Sequence, residues 1–186
     1  SSARMGESLY KFFLRSLHGS TRQAWVLEKR CLAHLGHIRS LFTNEITQCM
    51  VFAIVLHGAI VLVFGLRVLP VLLMADFICV VFQTAIVYIQ RYGLLREKRA
   101  DGAYVRCSSR HAWNSTHAAS ALLLFNATRH ADAHVHPARR FQSLGVDNAA
   151  AQLPFGFAAA IIIAFLPPYW FRTMDPQLPI GQVEIY

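Results

Sequence analysis

Five histidines lie within a stretch of 26 residues in the second half of the chain: His111, His117, His130, His134 and His136. Two of them, His130 and His134, are four residues apart, so both imidazoles would point from the same face of a helix. Imidazole suits iron, zinc and copper, and two on one helical face are a common half of a metal site. The spacing indicates a candidate metal site, although the polar end of an ordinary helix has the same pattern.

The composition predicts that the elements around these histidines lie in a membrane. Of the 186 residues, 55% are hydrophobic and only 15% are charged, which is less charge than a soluble domain of this size carries. The surplus apolar surface must therefore face something other than water, and lipid is the obvious candidate. The four cysteines are scattered and form no C-x-x-C pair, so a disulfide framework is not expected.

Two long apolar runs predict the membrane-spanning helices. Residues 49–66 carry no formal charge, and residues 68–89 carry Asp76 as their one acid. Each run is long enough to cross the hydrocarbon core as a helix. Because only residues 66–70 remain for a turn, we expect a transmembrane helical hairpin over residues 49–89. The predicted fold class is an all-α membrane protein.

The distribution of charge predicts the orientation of this hairpin. Lys and Arg are frequent on both flanks, whereas the turn carries Arg67 alone. The positive-inside rule then places both ends of the hairpin in the cytoplasm. Although the net charge is +8, the basic residues form no patch interleaved with exposed aromatics, so no nucleic-acid partner is expected.

The flanking regions are predicted to differ in character. Residues 1–47 have a basic, amphipathic pattern, which is typical of cytoplasmic or interfacial helices. Residues 90–186 are expected to form a cytoplasmic, histidine-containing region, with a helix from about Ser115 to Arg129. Within it, residues 155–170 are apolar but short and flanked by prolines, which favours a half-buried segment packed on the bundle.

His57 and Asp76 lie inside the two predicted spans. A polar residue at membrane depth is a functional candidate by default. Each stands alone in its apolar run, however, so a structural hydrogen bond to a neighbouring helix is the favoured interpretation of both.

The residues around the histidine pair resemble those of the integral-membrane alkane hydroxylases, the alkane 1-monooxygenases. The resemblance covers nearly the whole chain, and the histidine segment is specific to that family and to its xylene monooxygenase relatives. The stretches that carry it are Gly6-Glu7-Ser8, Tyr92-Gly93-Leu94-Leu95-Arg96, Trp113-Asn114-Ser115-Thr116-His117, the run from Arg129 to Leu144, Gln152-Leu153-Pro154, Pro167-Pro168 and Met174-Asp175-Pro176.

This resemblance implies the C-terminal portion of a protein of the bacterial inner membrane, with a bundle related to the membrane fatty-acid desaturases. Such proteins hold two irons among histidines on the cytoplasmic side. They hydroxylate the terminal carbon of an alkane with dioxygen, and a rubredoxin supplies the electrons. On this basis His130 and His134 would be iron ligands, with His117 as a possible third. Asp132 would orient an imidazole by a hydrogen bond.

The chain departs from the family at ligand positions. The family's box R-H-S-D-H-H has Ala133 in place of its second histidine here, and the motif E-H-Y-G is replaced by Gln90-Arg91-Tyr92-Gly93. A guanidinium stays protonated and has no lone pair for a metal, so Arg91 cannot substitute for a histidine. Two further histidine boxes of the family lie upstream of the region that this chain resembles.

Two functions therefore stay open. The chain is either part of a di-iron alkane monooxygenase or a catalytically inactive, truncated or degenerate paralogue that acts as a membrane structural or partner protein. In the first case, an apolar alkane would enter from the membrane lipid past the side chains of Phe82, Ile86, Leu122 and Phe125. Ordinary core packing would explain the same apolar residues.

Overall fold

The computed structural model describes residues 2–34, 44–94, 112–123, 132, 138–145 and 151–178. This part of the chain is mostly helical. Its helices are α1 (Leu9–His34), α2 (Glu45–Phe64), α3 (Leu69–Arg91), α4 (Ala118–Leu123), α5 (Phe157–Ala164) and α6 (Pro167–Met174). Short 3₁₀ turns occupy Leu66–Val68, Phe141–Ser143 and Asp175–Gln177, and two short strands are β1 (Trp113–Asn114) and β2 (Ala151–Gln152).

The chain divides into two compact units, which are described separately. The first comprises residues 14–83, and the second comprises residues 2–13 and 84–186. Helices α1 and α3 each contribute residues to both units.

The first unit contains α2 and the larger part of α3, the apolar helices that the sequence predicts. The side chain of Asn44 caps α2 by accepting a hydrogen bond from the Thr47 amide at 3.0 Å, which satisfies one of the free amides at the helix start. Helix α2 ends at Gly65, whose φ of 82° lies in the region that glycine adopts most readily. No residue of α2 is buried. Within the described residues, Glu45–Phe64 and Leu66–Arg91 are long and apolar enough to cross a membrane.

The second unit has a core of aromatic side chains. The Tyr88 ring packs against Phe12, Tyr92 and Trp170, with centroid separations of 5.5, 5.3 and 5.3 Å. Tyr92 also meets Trp170 edge to face at 5.3 Å. All four side chains are fully buried. This core joins the last turns of α3 to the start of α1 and to α6.

The prediction of an all-α protein needs one correction. Strands β1 and β2 pair in parallel, with Trp113 opposite Ala151 and Asn114 opposite Gln152. The Leu153 amide continues the ladder by donating to the Asn114 carbonyl at 2.8 Å. Since Trp113 and Asn114 are buried, their backbone groups need partners, and the second strand supplies them. Helix α4 therefore begins at Ala118, three residues after the predicted start.

The apolar segment at residues 155–170 forms two short helices with a break between them. Pro167 and Pro168 open α6, where a proline lacks only an amide that would have no helical partner. The residue before a proline disfavours helical geometry, and Leu166 adopts φ −114° and ψ 81°. The prolines therefore set the corner between α5 and α6.

Candidate functional site

His117 immediately precedes α4, and its side chain is exposed. Its Nδ1 atom lies 3.2 Å from the Ser115 hydroxyl oxygen. If Nδ1 carries the proton and donates to Ser115, the lone pair of Nε2 is left to bind a metal, because a neutral imidazole has one donor and one acceptor nitrogen. This contact is of the kind that orients histidine ligands in metal sites.

The start of α5 packs closely against this histidine. A Cβ atom added at Gly156 would lie 3.0 Å from Ser120 Oγ and 3.8 Å from His117 Cβ. The same Ser120 hydroxyl accepts a hydrogen bond from the Phe157 amide at 2.8 Å. The absence of a side chain at position 156 thus permits the approach of α5 to the turn that carries His117.

Asp132 is buried, and its carboxylate has two partners among the described residues. One guanidinium nitrogen of Arg139 donates to both carboxylate oxygens at 3.0 Å, and the Gly145 amide donates to Oδ2 at 2.8 Å. These bonds tie residue 132 to the loop that contains the 3₁₀ turn Phe141–Ser143. They add a positioning role for Asp132 to the one that the sequence predicts.

The two altered positions of the E-H-Y-G-like motif are the last residues of α3. Gln90 is buried and Arg91 is half-buried. The next residue, Tyr92, lies in the aromatic core. Arg91, at the position where the resemblance expects an imidazole, therefore directly precedes a residue of that core in the sequence.

The other predicted site residues are distributed as follows. His130, Ala133, His134 and Phe125 lie outside the described residues. Of the predicted channel residues, Phe82 and Leu122 are exposed, and Ile86 packs against the aromatic core. A cavity of about 620 Å³ lies elsewhere, between the second half of α1 and the start of α2, and is lined by Leu27, Cys31, Ile46, Cys49 and Met50 among others.

The sequence did not predict the central role of Tyr92. Its hydroxyl donates to Asp175 Oδ1 at 2.6 Å and accepts from the Gly6 amide at 3.0 Å. Its carbonyl accepts from the indole nitrogen of Trp113 at 2.8 Å. Burial and the bond to Asp175 raise the pKa of Tyr92 above the ordinary value of 10.0, so the phenol remains a donor.

Tyr92 thereby joins stretches that carry the family resemblance but are far apart in sequence. Gly6, Trp113 and Asp175 belong to three such stretches, and Tyr92 belongs to a fourth. A fifth, at residues 152–154, pairs with Asn114 through Leu153. The recurrence of tyrosine and tryptophan in these stretches was the available signal, but nothing in their spacing indicated which would meet.

The sequence suggested that His57 and Asp76 each stand alone, but the structure brings them together. His57 Nε2 lies 2.9 Å from Asp76 Oδ2, and Nδ1 lies 2.8 Å from the Ala53 carbonyl oxygen. This contact joins α2 to α3. Both residues lie at similar distances in sequence from the turn at residues 65–68, which is the signal that could have predicted the pair.

The described residues do not by themselves fit a di-iron centre. Among residues 2–34, 44–94, 112–123, 132, 138–145 and 151–178, no group of three or more His, Cys, Asp or Glu side chains could hold a metal ion. His117 offers one imidazole, and Arg91 offers none of the lone pairs that a metal requires.

Comparison with known proteins defines the class to which this helical chain belongs. A family profile described as fatty acid desaturase matches residues 1–150. The chain belongs to the fatty acid desaturase family.

Within that class the chain is homologous to the alkane 1-monooxygenases, which confirms the resemblance seen in the sequence. It is 42% identical over 178 residues to alkane 1-monooxygenase of Pseudomonas putida, covering 95% of this chain and 44% of the relative. It is 39% identical over 177 residues to alkane 1-monooxygenase 1 of Alcanivorax borkumensis, covering 93% and 43%. The xylene/toluene monooxygenase hydroxylase component XylM of Pseudomonas putida is 26% identical, covering 93% and 46%. The chain spans less than half the length of these curated relatives.

Proposed function

We propose that this chain is a portion of a membrane alkane monooxygenase, which hydroxylates the terminal carbon of an alkane with dioxygen. The observation that carries the proposal is the 42% identity to an alkane 1-monooxygenase over 95% of the chain. It is supported by the convergence of the resembling stretches on Tyr92, because a retained core preserves the frame on which a site is built.

In this proposal, iron would be the cofactor and would supply the activation of dioxygen. His130 and His134 would hold it, with His117 as a third ligand whose Nδ1 atom is oriented by Ser115. Asp132 positions the intervening backbone through Arg139 and Gly145. Because Arg91 and Ala133 provide no ligand, the complete di-iron set needs histidines in addition to those of this chain.

The proposal also assigns the surroundings of the site. Helices α2 and α3 form a transmembrane hairpin in the bacterial inner membrane, with both ends and the histidine region in the cytoplasm. The alkane reaches the site from the lipid past Phe82, Ile86, Leu122 and Phe125. A rubredoxin-type protein delivers electrons to the basic cytoplasmic surface, where opposite charge favours the encounter.

A second candidate function is a catalytically inactive, truncated or degenerate paralogue that serves as a membrane structural or partner protein. The observation that favours it is the position of Arg91, whose permanent positive charge directly follows the buried Gln90 at the end of α3. A cation there opposes the binding of a metal cation. Retention of the aromatic core would keep such a protein folded without its chemistry.

A split-protein experiment distinguishes these functions. The chain is expressed in a bacterial membrane together with the part of the Pseudomonas putida alkane 1-monooxygenase that precedes the matched region, and with a rubredoxin, its reductase and an n-alkane. Formation of the 1-alkanol is measured by gas chromatography. The control pairs the same upstream part with the matched region of that relative.

If the chain is a portion of a monooxygenase, we expect no 1-alkanol from the chain alone and measurable 1-alkanol when it is paired with the upstream part of the relative. The Arg91→His/Ala133→His variant should raise the yield of the pair, because both changes add an imidazole. If neither the pair nor this variant pair yields 1-alkanol while the control does, the inactive paralogue is the correct function.

A further inference from the structure

Three large side chains are exposed at and around the corner between α5 and α6. Ile162 is 67% exposed, Leu166 is 49% exposed and Tyr169 is 66% exposed. The opposite sides of the same helices are buried in the core of the second unit through Phe157, Ala160, Ala164, Trp170 and Met174. Helix α5 is apolar on both sides, since its sequence is Phe-Ala-Ala-Ala-Ile-Ile-Ile-Ala. A helix that is apolar all round is found where no face meets water.

Tyr10 lies beside this corner. Its hydroxyl donates to the Phe165 carbonyl at 2.9 Å, although its side chain is 55% exposed. The bond satisfies a carbonyl at the end of α5, where helical partners run out. Tyr10 and Tyr169 thus present two exposed phenols on one unit. Tyrosines with an apolar ring and a polar end are enriched where a membrane meets water.

The packing of α6 relates the corner to the end of the apolar helix α3. The Trp170 ring lies 5.3 Å from that of Tyr88, and Tyr88 is three residues before α3 ends at Arg91. Three residues correspond to about 4.5 Å along a helix axis. The neighbouring residue Tyr169 therefore lies near the level at which α3 would leave the hydrocarbon core.

We propose that Ile162, Leu166 and Tyr169, together with Tyr10, form a lipid-binding edge that inserts into the boundary between the headgroups and acyl chains of a phospholipid membrane. This edge anchors the unit that carries His117 against the membrane. The inference rests on the proposed membrane location of α3. Arg172, exposed on α6, lies one helical turn beyond Tyr169 and suits the adjacent phosphates.

Such an edge has a consequence for substrate. An alkane dissolved in the acyl chains would be held beside the unit that carries His117, without having to cross water. The short length of α5, eight residues, is about 12 Å, which is too short to cross the membrane but sufficient to lie along its surface.

Photolabelling of the complete chain tests the proposal. The protein is reconstituted in phosphatidylcholine vesicles that contain a lipid with a diazirine in its acyl chain. After illumination, labelled residues are located by peptide mass spectrometry. A parallel sample is labelled with a small water-soluble diazirine. Phe52 and Phe77 serve as positive controls for the exposed faces of α2 and α3, and the exposed polar Gln142 serves as the negative control.

The expected result is lipid adducts at Ile162, Leu166 and Tyr169, and aqueous adducts alone at Gln142. Aqueous adducts at the corner, with lipid adducts at Phe52 and Phe77, would overturn the lipid-binding edge but leave the membrane location intact. Absence of both kinds of adduct at the corner would mean that protein covers it, and would also overturn the proposal. Absence of lipid adducts at Phe52 and Phe77 would overturn the membrane location itself.

A fluorescence measurement provides an independent check. The Tyr169→Trp and Gln142→Trp variants are compared with the parent chain in vesicles of brominated phosphatidylcholine. The added fluorescence of Tyr169→Trp should be quenched severalfold more strongly than that of Gln142→Trp. Equal quenching of the two would contradict the lipid-binding edge.

Discussion

The hydroxyl of Tyr92 donates a hydrogen bond to Asp175 across 83 residues of sequence, at an oxygen–oxygen distance of 2.6 Å. The same hydroxyl accepts from the Gly6 amide at 3.0 Å. One side chain at the end of α3 thereby connects the segment before α1 with the turn after α6. Because Tyr92 is buried, its hydroxyl depends on these partners in place of water.

Removal of this hydroxyl should destabilise the second unit while leaving its aromatic packing intact. We expect Tyr92→Phe to lower the free energy of unfolding by about 2 kcal/mol, because a buried hydrogen bond to a carboxylate and a second one to an amide are lost. Thermal unfolding in detergent micelles, followed by circular dichroism, measures the change. The control Tyr10→Phe removes an exposed hydroxyl and should have little effect; equal losses in the two variants would contradict the role of Tyr92.

Stability at high pH should depend on Tyr92. Burial, followed by the bond to Asp175, raises the pKa of its phenol above the ordinary value of 10.0. Below pH 10 the phenol is protonated in both the folded and the unfolded chain, so this contribution to stability is fully present. Above pH 10 the unfolded chain loses that proton first, and the folded state loses stability. Unfolding measured from pH 8 to pH 11 should show a shallower loss above pH 10 for Tyr92→Phe than for the parent; parallel curves would argue against this phenol.

A side chain at Gly93 should destabilise the chain. Its φ is +68°, and an added Cβ would lie 2.8 Å from Leu178 Cδ1. We expect Gly93→Ala to destabilise the chain by about 3 kcal/mol, from backbone strain and overpacking together. The matched control is Gly6→Ala, which has a φ of +73° but open space around the new Cβ, so it measures strain alone.

The two contributions at Gly93 separate in a further variant. The loss of stability caused by Gly93→Ala should be smaller in a Leu178→Ala background than in the parent chain, because the shorter side chain at position 178 removes the clash. Strictly additive unfolding free energies would show that the clash with Leu178 is absent.

The His57–Asp76 pair should couple the two apolar helices. Since the Ala53 carbonyl can only accept, His57 Nδ1 carries the proton in that bond, and a single further proton is shared between Nε2 and Asp76. In the proposed transmembrane hairpin, removal of either partner would leave a polar group exposed to lipid. We therefore expect His57→Ala and Asp76→Ala each to destabilise the helix pair. The double variant should be at least as stable as the less stable of the two single variants.

A double-mutant cycle in mixed detergent micelles measures this coupling through the midpoint of denaturation by sodium dodecyl sulfate. Gln83→Ala, at an exposed polar position of α3, is the control and should not couple with His57→Ala. Additive effects of the His57 and Asp76 changes would show that the pair contributes no interaction.

The sequence allowed the apolar helices to be predicted because the free energy of placing a helix in lipid depends mainly on its own residues. Residues 49–66 and 68–89 accordingly fall within α2, α3 and the turn between them. The contacts of Tyr92 could not be predicted, since Gly6, Trp113 and Asp175 meet it only through the folding of distant segments. The pairing of β1 with β2 escaped prediction because two residues are too few to establish a strand pattern.

The candidate site was predicted by residue type and family resemblance more than by geometry. His117, His130 and His134 were predicted because their imidazoles can bind a metal. The packing of Gly156 against Ser120 and His117 could not be predicted, since these residues are far apart in sequence. Asp132 was predicted as the partner of an imidazole, whereas the structure adds Arg139 and Gly145 as its partners. The Gly145 amide is a backbone partner, which leaves no pattern in sequence, and nothing in the spacing pairs Arg139 with Asp132.

The most direct test of the central claim is the iron content of the purified 186-residue chain. We propose that the chain retains the core of an alkane monooxygenase but supplies only part of its ligand set. After purification from membranes and loading with ferrous iron without oxygen, mass spectrometry of the metal and quantitative amino-acid analysis give the number of irons per chain. We predict less than about one tightly held iron per chain, rising in Arg91→His/Ala133→His, because each change adds an imidazole ligand. About two irons in the unaltered chain, lost on His130→Ala, would contradict the claim, because a full di-iron set would then be present without Arg91 and Ala133.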